Sequence, residues 1–582
     1  MRKKNMIKSI VLRYERENSW LRFESPLDVM VARSCDEVQP LLREVELMVE
    51  KGFYAAGFIS YEAAPGFDAA LKTKPPAEFP LLCFGLFNAP KQIEPLIAVG
   101  TSSSDSGWSN QLNQDEFKDK IARIKNRLRA GHTYQVNFTM QRQKKFCGDP
   151  WELFTGFACD APYAAFIDLE EYAICSASPE LFFDLHEGAI HLRPMKGTAP
   201  RGMTLAEDCF HRRSLQTSAK DHAENAMILD MVRNDIGKIA DIGSISVEES
   251  FKLEKYPTVW QMTSSVSART NASMCNLMQS LFPCASITGA PKVNTMHIID
   301  SLEDQPREIY TGCIGFFSPK GDAQFNVAIR TALIDKNSQS LNYGIGAGIV
   351  WDSIAESEYE ECQLKAKVIN SPISCSNFSL IETILWRESG GYFLLEYHLR
   401  RMKDSAEYFD FRFDEAELQE KLGELEQAMD CSDSKVRILL DRKGELDISA
   451  SLLPANMLNK SQGARLAKQP VNSNNPYLHH KTTHREMYER AQAEVPECDD
   501  VILINERGEV TESTIANVVM RNGSDLITPP VTCGLLAGTF RQYLLDKGEV
   551  VEGIISREAL IASEEIYLVN SVRQWQRAVL LS

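Results

Sequence analysis

The sequence lacks any apolar run of about 18 residues, the length that a membrane-spanning helix needs. Its start, Met1–Ile10, is basic, but the apolar stretch of a signal peptide does not follow. Regular cysteine spacing is also absent, because the 14 cysteines include no C-x-x-C pair. This argues against a disulfide framework or a zinc site. We therefore expect a cytoplasmic protein with reduced thiols and no membrane span.

An excess of positive charge is lacking as well. The net charge is −17, and binding to nucleic acid or to an anionic membrane depends on concentrated positive charge. Neither kind of partner is expected. A small anionic substrate is compatible with this charge if arginines, lysines, a metal ion or helix N-termini gather locally around it.

What the sequence does have is length and a globular composition. A chain of 582 residues is too long for one core. Its composition, 44% hydrophobic and 25% charged, is too apolar for extensive disorder. The polar, proline-containing stretch Ile369–Asn377 is the clearest boundary. We place the cut near residue 372, which gives domains 1–372 and 373–582.

Both domains are predicted to mix helices and strands. In the first, Tyr172–Ser176 and Ala189–Arg193 have the alternation of strands, and Asp221–Asn234 has helical spacing. In the second, Phe378–Trp386 predicts a strand and His398–Phe409 a helix. The expected fold class is α+β or α/β in both domains.

Three glutamates in the first domain have the chemistry of a metal site. Glu358 and Glu361 share one face of a helix because they lie three residues apart, and Glu224 lies in the predicted helix upstream. Mg²⁺ prefers a few carboxylate oxygens and keeps positions for water and substrate. Glutamates at this spacing are more often solvated helix surface, so the pattern alone leaves both interpretations open.

One lysine lies in a loop that could hold it in a fixed place. The prolines and glycines of Arg193–Gly202 predict a constrained loop around Lys196. A loop lysine is ordinarily an inert solvated cation. Burial or neighbouring cations lower the pKa of a lysine, and its neutral amine is then a nucleophile.

Six segments supply the context that decides between these interpretations. In chain order they are Ser178–Glu180, Lys196–Thr198, Asp221–Ile228, Thr288–Lys292, Phe325–Thr331 and Tyr343–Ile349. Together they resemble the chorismate-utilising enzymes, which include anthranilate and isochorismate synthases, from about Gly57 to Lys367. The resemblance implies layered antiparallel sheets with helices for the first domain.

A lysine before Gly-Thr resembles the aminodeoxychorismate synthase component I branch, since anthranilate synthases usually carry alanine there. The resemblance implies that the Lys196 amine adds to C2 of chorismate while the C4 hydroxyl leaves, after which ammonia attacks C4 and expels the lysine. Glu180 matches the general acid for the departing hydroxyl. Glu224, Glu358 and Glu361 match ligands of Mg²⁺, which holds the ring carboxylate.

The resemblance also implies a set of substrate contacts. These are Arg330, the backbone amides near Gly346, Ala347 and Gly348, the polar side chains Tyr343 and Thr288, and the anion contact Lys292. One departure is that Trp260 and Gln261 stand where relatives often have histidine. Gln261 can hydrogen-bond the leaving hydroxyl, although it cannot titrate.

A glutaminase segment is not recognisable in the sequence. Thr311–Gly315 is out of phase with the G-x-C-x-G nucleophile motif. Ammonia is therefore expected from a separate glutamine amidotransferase subunit or from ammonium salts.

The second domain contains Lys481 after Asn474–His480, followed downstream by Gly508–Asn517. Their order resembles the class IV aminotransferases, from about Phe378 to the chain end, which implies two α/β subdomains and pyridoxal phosphate. Lys481 matches the covalent lysine and general base, and Glu512 the partner of the pyridinium nitrogen. The candidates for the phosphate are Arg401, the amides of Thr539 and Phe540 at a helix N-terminus, and Ser571.

Fold alone does not separate a lyase from a transaminase. Fusion to a domain that makes aminodeoxychorismate favours the lyase, in which Lys481 removes the C4 proton and pyruvate leaves to give 4-aminobenzoate, a folate precursor. The alternatives are an anthranilate or isochorismate synthase joined to an amino-acid transaminase, and a first domain reduced to a tryptophan-sensing regulatory module. Class IV relatives commonly dimerise, which implies a homodimer through the second domain.

Overall fold

The computed structural model describes residues 6–96, 107–366, 369, 378–429, 432–453 and 461–581. Residue contacts divide the chain into two units, one of Met1–Ala199 with Ser214–Cys375 and one of Pro200–Arg213 with Ser376–Ser582. The predicted cut near residue 372 lies outside the described residues. None of the helices in the described ranges is long and apolar enough to cross a membrane.

The first unit is built on two sheets whose described pairings are antiparallel. Its strands are Ile7–Tyr14 (β1), Ser19–Glu24 (β2), Asp28–Ala32 (β3), Tyr54–Ile59 (β4), Leu82–Phe87 (β5), Lys91–Ile93 (β6), Ser109–Asn110 (β7), Gln135–Lys145 (β8), Tyr163–Leu169 (β9), Tyr172–Ser178 (β10), Leu181–His186 (β11), Ala189–Arg193 (β12), Met195–Pro200 (β13), Ser246–Lys255 (β14), Val259–Arg269 (β15), Gly289–Ala290 (β16), Cys313–Phe317 (β17), Ala323–Val327 (β18), Thr331–Asp335 (β19) and Ser340–Ile349 (β20). One sheet has the order β16-β8-β20-β19-β10-β9-β1-β2-β6 and the other β13-β15-β12-β11-β18-β17-β4-β5-β3, with β7 on β8 and β14 on β15.

Helices cover these sheets. They are Cys35–Glu50 (α1), Ala64–Phe67 (α2), Gln114–Arg129 (α3), Pro150–Ala158 (α4), Ala219–Ile236 (α6), Met274–Leu281 (α7), Lys292–Leu302 (α8) and Ala355–Ala366 (α9). Helix α5, Leu205–Thr217, groups with the second unit as far as Arg213. Local sequence explains where α3 begins, because the Asn113 side chain accepts hydrogen bonds from the amides of Asp115 and Glu116. The same helix buries Phe117 and Ile121 at helical spacing.

A core between the two sheets gives the first unit its layered form. Ile10 and Ile167 from one sheet and Phe58 and Ile314 from the other belong to one buried cluster. Alternate residues of β4 enter different buried clusters, with Ala56 and Phe58 in this one and Ala55 and Ile59 in another, so one face of that strand points to the opposite sheet. The expectation of layered antiparallel sheets is confirmed.

The second unit has two sheets, which agrees with the two α/β subdomains expected. Its strands are Leu380–Arg387 (β21), Gly391–Tyr392 (β22), Ser434–Leu440 (β23), Leu446–Leu452 (β24), Gln462–Leu466 (β25), Asp500–Ile504 (β26), Val510–Ser513 (β27), Asn517–Asn522 (β28), Asp525–Thr528 (β29), Val551–Glu552 (β30), Ile566–Asn570 (β31) and Gln574–Leu580 (β32). Its helices are Leu395–Phe409 (α10), Glu415–Ala428 (α11), Pro476–His479 (α12), Glu486–Glu494 (α13), Thr539–Asp546 (α14) and Arg557–Ala562 (α15). The sheet orders are β22-β21-β23-β24 and β27-β26-β25-β32-β31-β28-β29-β30.

Pro200–Arg213 belongs to the second unit although the chain reaches it from β13. Within that unit, the Tyr408 hydroxyl donates a 2.8 Å hydrogen bond to the Gly202 carbonyl. The Arg201 guanidinium lies 4.5 Å from the centre of the Tyr408 ring. The buried Arg201 also donates to Asp208 at 2.7 Å. These contacts explain why a short segment groups away from its sequence neighbours, and the single cut near residue 372 did not foresee them.

Candidate active sites

Lys196 lies in β13 with its amine against β20. Its Nζ is 3.8 Å from Oε2 of Glu224. The same nitrogen is 2.2 Å from the position that a β-carbon at Gly348 would occupy. A residue larger than glycine at position 348 would therefore displace the amine.

Three side chains hold the backbone around Lys196. The Gln261 amide donates to the Gly197 carbonyl at 2.8 Å and accepts from the Thr198 hydroxyl at 2.9 Å. Asn225 donates to the carbonyl of Lys196 at 3.0 Å. Gln261 was predicted to contact the leaving hydroxyl, but both ends of its amide are bonded to the loop. In this structure Gln261 holds the loop around Lys196, and its contact with the leaving hydroxyl stays a prediction, because the amide has a second N–H and a second lone pair.

Glu180 is a buried carboxyl close to Lys196. Only 3% of it is exposed, and its Oε1 accepts a 2.6 Å hydrogen bond from the Ser286 hydroxyl. Burial raises the pKa of Glu180 to about 7, although Ser286 and Lys196 both act to lower it. A carboxyl with a pKa of about 7 is protonated in about half of the molecules at neutral pH, and this form can act as a general acid.

Sequence reasoning missed Gln135, which begins β8. Its side chain is fully buried, and neither atom of its amide has a hydrogen-bond partner. Its Nε2 is 2.5 Å from the position of a β-carbon at Gly348, on the same side as the Lys196 amine. A buried amide without partners lowers stability, and a ligand beside Lys196 would supply the missing partners. The lack of hydrogen-bond partners for this amide is what identifies Gln135, and it can be seen only in the tertiary structure.

Arg330 and Tyr343 are a candidate anion site. No carboxylate within the described ranges forms an ion pair with Arg330, and burial lowers the pKa of its guanidinium. Its φ of 49° places the backbone in the left-handed region, which is uncommon for arginine. The Tyr343 hydroxyl is buried without a partner. A cation that the protein does not neutralise, next to an unused hydroxyl, fits a carboxylate ligand.

The backbone of β20 has a free edge at the predicted glycine-rich contact. Strand β19 pairs with β20 only as far as Tyr343, whereas β8 pairs with it up to Ile349. Gly346, Ala347 and Gly348 therefore have a strand partner on one side only. Amides on the other side are available to an anion.

Two predicted substrate contacts are used inside the protein. The Lys292 ammonium donates to Asp235 at 2.7 Å and to the Leu281 carbonyl at 3.3 Å. The fully buried Thr288 directs its hydroxyl at the carbonyls of Cys284 and Ala285. Both side chains have structural roles here, which differs from the predicted contacts with substrate.

The three predicted metal ligands do not form a metal site in this structure. Glu224 lies 3.8 Å from the amines of Lys196 and Lys220, and burial raises its pKa. Glu361 pairs with Lys365 at 2.7 Å; burial acts to raise its pKa, but Lys365 outweighs burial and lowers it. In the part of the chain that the structure describes, no three His, Cys, Asp or Glu side chains are placed to hold a metal ion. The donor types suit a hard cation, but in this structure Glu224 and Glu361 face lysines.

The second site centres on Lys481 and Glu512. Burial, and after it Arg401, lowers the pKa of Lys481 to about 8. Its ammonium makes no ion pair with any described residue. Burial raises the pKa of Glu512 to about 7, and the Tyr488 hydroxyl donates to this carboxyl at 2.7 Å. An amine with a lowered pKa, and a buried acid that forms no ion pair with a described residue, are the groups that pyridoxal phosphate needs.

The predicted phosphate contacts lie on α10, on α14 and before β32. Arg401 acts electrostatically on Lys481 but donates to both oxygens of Glu382, at 2.8 and 2.7 Å. Thr539 and Phe540 begin α14, so their amides precede its first hydrogen bond, from Gln542 to the Gly538 carbonyl.

Ser571 fits the phosphate less well than these residues. Its hydroxyl donates to the Thr383 carbonyl at 3.3 Å. The donor set of Arg401 and the α14 amides fits a phosphate group without it.

Comparisons with known proteins match one family to the part of the chain that holds the first site and another to the part that holds the second. The family described as chorismate binding enzyme matches residues 13–371, and amino-transferase class IV matches residues 379–580. Aminodeoxychorismate synthase component 1 of Klebsiella aerogenes is 40% identical over 274 residues, which are 46% of this chain and 60% of that protein. Anthranilate synthase component 1 of Aquifex aeolicus is 34% identical over 276 residues, 47% of this chain and 56% of that protein. The chain therefore spans about three fifths of the length of these relatives.

Solved structures share the fold of the first unit. Anthranilate synthase component I from Streptococcus pneumoniae has a TM-score of 0.50 at 23% identity, covering 63% of this chain and 91% of that one. The menaquinone-specific isochorismate synthase from Escherichia coli has a TM-score of 0.51 at 15% identity, covering 64% of this chain and 89% of that one. At these identities the likeness concerns the fold alone.

Proposed function

The chain belongs to the chorismate binding enzyme family, and from this we propose that its first unit aminates chorismate to 4-amino-4-deoxychorismate. We further propose that the second unit, which matches amino-transferase class IV, eliminates pyruvate from that product to give 4-aminobenzoate. The observation that carries the first step is the lysine at position 196, with the buried Glu180, whose pKa is raised to about 7, beside it. Relatives named aminodeoxychorismate synthase at 40% identity support the same step.

In the first unit, the amine of Lys196 attacks C2 of chorismate as the C4–O bond breaks. Glu180 gives its proton to the departing hydroxyl, which leaves as water. Ammonia then forms a bond to C4, and the bond between C2 and the lysine nitrogen breaks to restore the ring double bonds. Arg330 and Tyr343 hold a substrate carboxylate while this occurs.

We propose Mg²⁺ as the metal of the first unit, held by Glu224, Glu358 and Glu361. The support is the chemistry of the carboxylates, since Glu358 acts electrostatically on Glu224, and Glu224 and Glu361 both interact with Lys196. Binding requires Glu224 to move from Lys196 and Glu361 from Lys365, so titration with Mg²⁺ should change the environment of both lysines.

In the second unit, pyridoxal phosphate supplies an electron sink when bound at Lys481. Lys481 removes the proton from C4 of aminodeoxychorismate, a task that suits an amine with a pKa of about 8. Glu512 holds the proton on the pyridinium nitrogen, and Tyr488 orients Glu512. The Arg401 side chain and the first amides of α14 bind the phosphate group.

Partners and location complete the proposal. The relatives are named component 1, which supports a separate glutamine amidotransferase subunit as the source of ammonia. We place the protein in the cytoplasm because its cysteines within the described ranges are free thiols. A homodimer through the second unit is proposed from the class IV match alone.

Product analysis tests the proposal. Chorismate, ammonium, Mg²⁺ and pyridoxal phosphate should yield 4-aminobenzoate and pyruvate in equal amounts. The Lys481→Ala protein should accumulate aminodeoxychorismate, and the Lys196→Ala protein should form neither product. Lys443→Ala, in an exposed turn, is the matched control and should behave as the wild type. Anthranilate as the product would overturn the proposed amination.

A further inference from the structure

A buried carboxylate in the second unit joins two parts of the chain that the sequence keeps far apart. Glu382, in β21, accepts two hydrogen bonds from Arg401 and one of 2.6 Å from Nδ1 of His398. Both donors lie on α10, three residues apart, so they share one face of that helix. The carboxylate is almost completely buried.

The network continues to the beginning of α14. The Nε2 atom of His398 is 3.2 Å from the hydroxyl of Thr539, the first residue of that helix. Nη1 of Arg401 donates to the Ala537 carbonyl at 3.3 Å, two residues before the helix. Glu382 is thus connected through one partner to the helix start and through the other to the loop that precedes it.

The protonation states give each contact a direction. Arg401 and His398 outweigh the effect of burial on Glu382 and lower its pKa to about 2, so Glu382 is ionised. Burial lowers the pKa of His398, so its neutral ring donates from Nδ1 and accepts at Nε2. The Thr539 hydroxyl therefore donates to His398, which fixes the side chain of the first helical residue. Among the residues that the structure describes, Arg401 donates three of its five N–H groups, which leaves two for a ligand.

We propose that Glu382 and His398 are positioning residues for the phosphate group of the cofactor. Glu382 aims the Arg401 guanidinium at the phosphate. His398 holds the first turn of α14 so that the amides of Thr539 and Phe540 point at the same oxygens. Neither residue touches the reacting atoms. The inference rests on the proposed function, because it takes the ligand of this site to be pyridoxal phosphate.

The test compares cofactor binding with and without the phosphate group. Dissociation constants of pyridoxal phosphate and of pyridoxal are measured with the full chain from the visible absorbance that depends on Lys481. Glu382→Gln should weaken the binding of pyridoxal phosphate by about tenfold, which is the contribution of a hydrogen bond to a charged group. It should weaken the binding of pyridoxal by less than about twofold. Inorganic phosphate should strengthen pyridoxal binding to the wild type but not to Glu382→Gln.

A second variant covers the case in which Glu382→Gln does not fold. Thr539→Val keeps the shape of the side chain but removes the hydroxyl, and it should weaken pyridoxal phosphate by about threefold. Thr539→Ser should restore the wild-type constant. The ³¹P resonance of the bound cofactor should shift in Thr539→Val and not in Thr539→Ser.

Glu552→Gln is the matched control. Glu552, in β30, pairs at 2.6 Å with Arg541 of α14, but it is not part of the network around His398. It should leave both dissociation constants unchanged. Equal binding of pyridoxal phosphate by wild type, Glu382→Gln and Thr539→Val would overturn the inference. So would equal losses for pyridoxal and pyridoxal phosphate, which would make the network merely structural. A wild type without Lys481-dependent absorbance would instead refute the proposed function.

Discussion

The Ser286 hydroxyl donates a 2.6 Å hydrogen bond to Oε1 of Glu180, within a pocket that buries the carboxyl almost completely. The bond favours the charged form of Glu180, whereas burial favours the neutral form. Burial is the larger effect and raises the pKa to about 7. One hydroxyl therefore adjusts the pH range in which Glu180 can act as an acid.

The Ser286→Ala variant should raise the pKa of Glu180 further. Because the acid works in its protonated form, activity falls as the pH rises through this pKa. The falling limb of the profile should move to higher pH by up to about one unit, which corresponds to about 1.4 kcal/mol. The measurement is kcat for amination against pH at a fixed concentration of free ammonia.

Two control variants accompany this prediction. Ser60→Ala removes another buried serine hydroxyl, which donates to the Pro80 carbonyl, and should leave the falling limb in place. Glu180→Gln should be inactive at every pH. A limb that stayed fixed in Ser286→Ala would show that Glu180 is not the titrating acid.

Replacing Gln135 by Met should separate binding from stability. The amide has no partner in the protein, so its loss should leave the free energy of unfolding unchanged or raise it. Chorismate binding should weaken by about tenfold, as expected for a lost hydrogen bond to a charged ligand. Calorimetry and thermal unfolding of the same protein measure the two effects.

Gln324→Met is the matched control for Gln135. Gln324 is also buried, but it accepts from the Glu15 amide and donates to the Arg13 carbonyl. Its replacement should lower the free energy of unfolding by about 1–3 kcal/mol and leave chorismate binding unchanged. If Gln135→Met lost stability as Gln324→Met does, the proposed ligand contact would be wrong.

Arg330→Met should change substrate binding, whereas Lys292→Met should change stability. Arg330 has no carboxylate partner among the described residues, so its removal should raise KM for chorismate at least about tenfold with little change in unfolding. Lys292 pairs with the buried Asp235, so its removal should lower stability by about 1–3 kcal/mol with KM unchanged. Steady-state kinetics and denaturant unfolding of both variants provide the check, and an unchanged KM in Arg330→Met would contradict the anion site.

Tyr488→Phe should change the titration of the second site. The Tyr488 hydrogen bond lowers the pKa of Glu512, so its loss should raise that pKa and weaken the hold of Glu512 on the pyridinium proton. The visible absorbance of the bound cofactor, followed against pH, should shift. Tyr392→Phe removes a hydroxyl that donates to the Leu422 carbonyl and should cost about 1 kcal/mol of stability without a spectral shift. Identical spectra for both variants would count against the role of Tyr488.

Local pattern was enough for much of the fold. The predicted strands Tyr172–Ser176 and Ala189–Arg193 lie in β10 and β12, and the predicted helix Asp221–Asn234 lies within α6. Alternation and helical spacing show which face of a segment is buried, and burying that face stabilises the strand or helix. Pattern did not foresee that Pro200–Arg213 groups with the second unit, because that depends on contacts with distant residues such as Tyr408.

The sequence by itself determined which chemical groups the protein has: a lysine before Gly-Thr, a glutamate upstream of it, and a second lysine with its own acid. Only the tertiary structure decided how each group is used. Burial gave Glu180 and Lys481 their shifted pKa values, and a partner 2.7 Å away removed Lys292 from the anion contacts. The physical reason is that desolvation and pairing depend on neighbours from distant parts of the chain, and motif spacing carries no record of them.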